Sequence, residues 1–278
     1  MAYLDGVSYL TLKNSQMIYS TKQILRVQKE ENKHKRYPQF LGNAFHGIFF
    51  QNINPELANN LHDLETKPFV IQAFRLKKKD DKYLYYELVI NSLTQELSSY
   101  LWESKTFLDC NQYHVKSFDL KLEVIESLSK STNIEMLYLQ NFKSEKLNEQ
   151  INLEFTSPCS FKSKNRYHTL PDTRLILQSL MHKFDHYSNK LNFYAPEYLD
   201  YLAERLIISK FDIQSQRFKV DKTLIAGFTG KITLSLHKLN AEAKKIISLL
   251  IDFGEYSGLG IKASMGMGAY KKISNEKW

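Results

Sequence analysis

What most constrains this chain is the order in which its two hydrophobic periods alternate. Residues 7–18 and 113–126 alternate apolar and polar, and 68–76 and 83–90 are joined by the charged turn KKKDDK; these read as strands, the last pair as a hairpin. Pro38 opens a helix in which Leu41, Ala44, Phe45, Ile48 and Phe49 form one apolar stripe. Asn54-Pro55 breaks it, PELANNLHDL adds another turn or two, and 93–102 is a short amphipathic helix. The basic segment 20–36 has no strong period and reads as a loop or short helix. The resulting order is β-α-β-β-α-β, the ferredoxin-like unit. The order then repeats. Residues 134–142 and 149–156 are strand-like, 171–187 and 196–206 helical, 207–220 and 227–236 strands, 240–253 a helix and 267–273 a final strand. The chain thus reads as α+β, two tandem βαββαβ units. The polar run KSEKLNEQ places the boundary near 145, dividing 1–145 from 146–278. Only the order of elements supports a duplication; there is no clear internal sequence similarity.

At 278 residues with 43% hydrophobic content, the chain can bury a packed core. No window approaches 18 uncharged apolar residues, and the first residues lack the basic and apolar regions of a signal peptide. Cys110 and Cys159 show no metal spacing, and two unpaired thiols fit a reducing cytoplasm. The formal charge of +8 favours a polyanionic partner, not a membrane. Basic residues bunch at 29–36, at 77–79, at 162–166 (KSKNR) and at 271–272; any one of these taken alone reads sooner as a solvated loop.

Five of the ten glycines fall within GEYSGLGIKASMGMGAY, residues 254–270. Gly258, Gly260, Gly266 and Gly268 stand in the frame G-x-G-x5-G-x-G. A nucleotide fingerprint runs strand, glycines, helix; here the helix comes first, and no G-x-x-x-x-G-K-[ST] occurs, so no cofactor is expected. What remains is a glycine loop with Ser257, Lys262 and Ser264 interleaved. Backbone N–H groups beside a lysine suit a nucleic-acid backbone. The alternative is a helix C-cap followed by a tight turn.

Among eight histidines, His182 and His186 have i, i+4 spacing, but no H-E-x-x-H or carboxylate set completes a metal site. His46 lies beside the apolar stripe of its helix, over a turn carrying Gly42 and Asn43. An imidazole there can move a proton at cellular pH, and Lys33, Lys35, Arg36 and Tyr37 lie upstream. Spacing alone leaves a structural role for His46 equally open.

The stretch GLGIKASMGMG before the final strand resembles the C-terminal glycine-rich loop of the repeat-associated RAMP proteins, and in particular of the CRISPR precursor-RNA processing endoribonucleases. LGNAFHGIFF (41–50), FTSPCSFKSKN (155–165) and LPDTRLILQSLMHKF (170–184) fit the same family in the same order. The resemblance implies two ferredoxin-like domains and metal-independent cleavage of CRISPR repeat RNA. In that reaction the ribose 2′-OH attacks the adjacent phosphate, leaving a 2′,3′-cyclic phosphate and a 5′-OH. It also implies that His46 is the acid–base residue. Tyr37 could be the tyrosine that some relatives add, but Asn52 stands where those relatives have lysine. Lys33, Lys35 and Arg36 would then supply positive charge, and Lys162, Lys164 and Arg166, with the glycine loop, would hold RNA. The partners implied are precursor and processed guide RNA, with effector-complex subunits and a second copy of the chain as further partners left open. The alternative within the resemblance is a non-catalytic RNA-binding subunit. A general tandem-RRM protein is disfavoured because no RNP1 pattern is evident.

Overall fold

A computed structural model describes residues 17–30, 35–145, 147–188, 191–220, 223–274 and 276. It is α+β, with every strand pair antiparallel. The first sheet contains β1 (Met17–Gln28), β2 (Phe69–Arg75), β3 (Tyr83–Ser92), β4 (Gln112–Val115) and β5 (Leu120–Asn133), in the order β2-β3-β1-β5-β4. The second contains β6 (Gln150–Cys159), β9 (Ile207–Val220), β10 (Thr223–Ser235) and β11 (Tyr270–Ile273), in the order β11-β6-β10-β9. Leaving out β4, each sheet arranges the strands of its β-α-β-β-α-β run as fourth, first, third, second.

Several expectations from sequence are corrected. The strand expected over 7–18 lies mostly outside the described residues. The first observed strand, β1, takes in residues 17–18 of that expectation and otherwise lies largely in the segment 20–36 read as loop or short helix. Its polar residues hid it: β1 is a central strand, and Gln23 is buried with its amide satisfied by the Phe107 carbonyl (2.5 Å), the Ser127 hydroxyl (3.3 Å) and the Tyr113 hydroxyl (2.8 Å). The strand expected over 113–126 is a hairpin, because a 3₁₀ turn at Lys116–Phe118 and left-handed Asp119 (φ 49°) separate β4 from β5. Residues 134–142 are a helix, not a strand. Asn133 caps it by accepting from Met136 N–H (2.8 Å), and Tyr138 stacks on Phe142 at 4.2 Å, one turn on.

The helices are α1 (Gly42–Asn52), α2 (Pro55–Asp63), α3 (Gln95–Ser104), α4 (Ile134–Phe142), α5 (Thr173–Ser188), α6 (Pro196–Arg205) and α7 (Ala241–Ser257). The α1 helix begins four residues later than Pro38 suggested, since Leu41 N–H instead bonds the Ala73 carbonyl of β2 (2.9 Å). Leu41, Phe45 and Phe49 enter the first core with residues of α2, α3 and the first sheet. Burying each such phenylalanine contributes roughly 2–3 kcal/mol. A second core joins α5, α6 and α7 to the second sheet and also takes in Ile18, Val70 and Leu93 of the first half. The two halves are therefore packed on each other. No helix is long and apolar enough to cross a membrane among the described residues.

Candidate nucleic-acid interface and acid–base site

His46 sits on α1, one residue past buried Phe45, so its ring emerges at the edge of the core rather than inside it. Phe69 of β2 stacks on the imidazole at 5.8 Å and 27°, and Phe50 meets it edge-on at 5.0 Å. Nδ1 lies 3.0 Å from the carbonyl oxygen of Ser264, at the tip of the glycine-rich loop and 218 residues away in sequence. The structure thus joins two features that sequence could only note separately.

All four glycines of the frame have left-handed φ: 66° at Gly258, 74° at Gly260, 103° at Gly266 and 72° at Gly268. The expectation that a ligand's backbone approaches them meets a different arrangement. The chain that comes close is the protein's own. A Cβ on Gly266 would stand 2.5 Å from the Cα of Gly42, and one on Gly268 would strike the Leu259 carbonyl. Gly258, Gly266 and Gly268 are buried. Gly260 is half-buried and donates its N–H to the Ser179 hydroxyl (2.9 Å). What the loop offers outward is Lys262, exposed, and Ser264, half-exposed, around a 3₁₀ turn at Ala263–Met265.

The loop is held from behind by residues that sequence reading did not single out. Lys183 of α5 donates to the carbonyls of Ser257 (3.1 Å) and Gly258 (2.9 Å). Burial pulls this ammonium down to about 8 and pushes the neighbouring Cys159 thiol up, which leaves that cysteine inert. A small third core closes over the loop: Met267 packs with Phe218, Val220 and Ile225 from the end of the β9–β10 hairpin, against Phe40, Ile261 and Met265. Arg217 and Lys219, on the opposite face of that hairpin, are exposed. Their alternation with buried Phe218 and Val220 was the signal that could have found them.

The basic run KSKNR is the tip of a hairpin, β7 (Phe161–Ser163) and β8 (Arg166–His168). Lys164 (φ 47°) and Asn165 (φ 60°) form its two-residue turn, the left-handed pair that a tight hairpin requires. Lys162, Lys164, Arg166 and Tyr167 are all exposed, and none of the three cations is paired with a carboxylate among the described residues. The hairpin grows from the glycine loop: Ile261 N–H donates to the Ser160 carbonyl (3.0 Å), and the Ser160 hydroxyl to the His168 carbonyl (3.2 Å). A continuous run of contacts therefore leads from the basic hairpin through the loop to His46.

The residues upstream of α1 are placed differently. Lys33 lies outside the described residues. Lys35 is spoken for: Glu30 (3.0 Å) and Asp119 (3.3 Å) bind its ammonium, and the hydrogen bond to Glu30 raises its pKa. Arg36 is exposed. Tyr37 turns its hydroxyl to the end of β1, accepting from Glu30 N–H (2.8 Å) and donating to the Gln28 carbonyl (3.5 Å). Asn52 bonds back to the Ile48 carbonyl of its own helix (2.7 Å) and brings no charge. His182 and His186 pack on Tyr194 and Tyr187, and no group of three potential metal ligands stands together among the described residues.

A model of the CRISPR-associated endoribonuclease Cas6 family matches residues 153–270. The CRISPR-associated endoribonuclease Cas6 of Streptococcus thermophilus is 31% identical over 235 residues, which are 84% of this chain and 91% of that protein. Among solved structures, one Cas6 product complex superposes with a TM-score of 0.71 at 20% identity, covering 93% of this chain and 100% of that one. A second Cas6 product complex superposes with a TM-score of 0.69 at 26% identity, with the same coverage.

Proposed function

The chain belongs to the CRISPR-associated endoribonuclease Cas6 family, and from that premise we propose that it cuts CRISPR repeat RNA within the precursor transcript, without a metal ion, to release guide RNAs. The observation that carries this reading is the meeting of His46 with the glycine-rich loop, at the end of a seam that begins in an exposed basic hairpin. Lys162, Lys164 and Arg166 would bind phosphates, and exposed Tyr167 beside them offers a ring for base stacking. Lys262, Ser264, Arg217 and Lys219 would extend that contact toward the imidazole.

In the proposed reaction the 2′-oxygen gives up its proton and bonds to phosphorus, and the P–O5′ bond breaks. The 5′-oxygen takes up a proton, and the ends left are a 2′,3′-cyclic phosphate and a 5′-OH. His46 carries one of these two proton transfers. Tyr37 enters only by reorienting its hydroxyl away from β1, and Arg36 is a better candidate than Lys35 for added positive charge, since Lys35 is already neutralised. The glycines themselves shape the loop rather than touch RNA. The strand orders support reading the molecule as two ferredoxin-like domains dividing near residue 145. The two unpaired thiols support a cytoplasmic setting. Effector-complex subunits and a second copy of the chain remain proposed protein partners.

His46→Ala is the direct test. It should leave repeat-RNA binding intact, because the cations and not one imidazole supply the affinity. Cleavage in EDTA should fall about 10²–10⁴-fold, the usual contribution of one positioned acid–base group. Wild-type rates in the alanine variant would remove His46 from the mechanism. Wild-type protein that binds repeat RNA and leaves it intact would identify a non-catalytic RNA-binding subunit instead.

A further inference from the structure

We infer that the glycine-rich loop is also a positioning element for catalysis: the Ser264 carbonyl keeps neutral His46 protonated on Nδ1, so Nε2 is the nitrogen that exchanges a proton with the RNA. This rests on the acid–base reading of His46 above.

A carbonyl oxygen can only accept a hydrogen bond, so at 3.0 Å the Nδ1 atom must be the donor. A neutral imidazole carries one N–H, so a proton held at Nδ1 makes Nε2 the basic nitrogen. Phe69 against the ring face and Phe50 at its edge limit its rotation, which keeps Nδ1 directed at the loop.

The loop can serve this purpose because its tip is fixed. Lys183 anchors its first carbonyls, Ser179 its Gly260 N–H, and Ser160 its Ile261 N–H. Leu259 N–H bonds the Gly268 carbonyl across its neck (2.9 Å). Its distance from α1 is set where two glycine backbones meet with no side chain between them. A Cβ on Gly42 would fall 2.4 Å from the Gly266 Cα and 2.7 Å from the Met265 carbonyl oxygen, next to Ser264. A single methyl at position 42 would therefore push the tip, and the Ser264 carbonyl with it, away from the imidazole. Orientation of the first half's histidine is thus imposed by the half that carries the basic hairpin.

The tautomer is measured without RNA. Long-range ¹H–¹⁵N spectra of full-length protein labelled with [¹⁵N]histidine, recorded well above the usual histidine pKa of about 6.5, report which nitrogen holds the proton. The His46 signals are those missing in His46→Ala. The wild type should show Nδ1–H. Gly42→Ala should show loss of that preference. Its cleavage rate at saturating RNA should fall about 10²-fold or more, toward the roughly 10⁴-fold lost when a catalytic histidine is held in the wrong tautomer. An Nε2–H tautomer in the wild type overturns the inference whatever the activity. Folded Gly42→Ala protein with a wild-type tautomer or a wild-type rate overturns it as well. The wild-type spectrum decides the question even where that variant fails to fold. The functional reading fails separately, only if His46→Ala still cuts.

Discussion

Gly42 and Gly47 both lie on α1, and replacing each by alanine separates helix propensity from the fit between the helix and the loop. Gly47 is exposed, and a Cβ added there meets nothing within 4 Å. Removing a glycine from a helix interior should stabilise the protein by about 0.5–1 kcal/mol. Gly42 has an ordinary helical φ, so alanine is not strained there in itself. Its Cβ would nevertheless stand 2.4 Å from a backbone atom of Gly266, and backbone cannot swing aside as a flexible side chain can. Moving the loop tip means disturbing the small core around Met267, and overpacking of this kind costs roughly 1–3 kcal/mol. After subtracting the helix gain, Gly42→Ala should lose about 0–2.5 kcal/mol, by the same two magnitudes, where Gly47→Ala gains. Urea unfolding followed by circular dichroism gives both numbers from the shift in midpoint at constant slope. Gly42→Ala protein as stable as Gly47→Ala would show that the loop yields without cost and that the glycine pair does not set its position.

Two further outcomes follow from charge. Glu87 of β3 has its carboxylate almost fully buried between Lys22 (2.9 Å) and Lys271 of the final strand (2.5 Å), so it ties the two sheets together. Burial pulls its pKa up, but the hydrogen bonds from Lys271 and Lys22 outweigh this and hold it below 4.5. A carboxylate depressed in the folded state stabilises above its unfolded value and loses that contribution as pH falls through the folded one. Glu87→Gln should therefore cost about 1–3 kcal/mol at neutral pH, and the gap to wild type should close in acid below 4.5; a gap that stays constant with pH would show that the charge is not what matters. Replacing Lys162, Lys164 and Arg166 together by alanine should weaken RNA binding and flatten the plot of log affinity against log salt by about 2 units, at roughly 0.7 per phosphate contact on a single strand. An unchanged slope would mean that the hairpin does not touch phosphates.

The sequence was most legible where one period ran uninterrupted. The α7 helix was found from its apolar spacing, α5 and α6 from helical stretches that open at Pro171 and Pro196, and the β2–β3 hairpin from its charged turn. It failed where tertiary contacts overrode local pattern. β1 carries Ser20, Thr21 and Gln23 inside the core, and only partners from distant segments make that burial tolerable. The α4 helix has a strand-like run of aromatic and branched residues, and its Asn133 cap is a signal that outweighs them. The glycine frame marked a close backbone approach correctly in kind, but whose backbone approaches was not in the pattern. The Gly42–Gly266 contact joins the two halves of the chain, and no local period encodes it. Arg217 and Lys219 alternate with buried residues and were within reach of the same argument that found the strands.

The ends of the cut RNA report the chemistry of cleavage most directly. Repeat RNA is incubated with wild-type protein in EDTA, and the termini are identified by mass spectrometry. A parallel substrate carries a 2′-deoxy sugar at the cleavage nucleotide. Attack by the 2′-oxygen must leave a 2′,3′-cyclic phosphate and a 5′-OH, and the deoxy substrate must survive uncut. A 5′-phosphate with a 3′-OH, or cleavage of the deoxy substrate at the normal rate, would contradict the mechanism whatever the His46 variant shows.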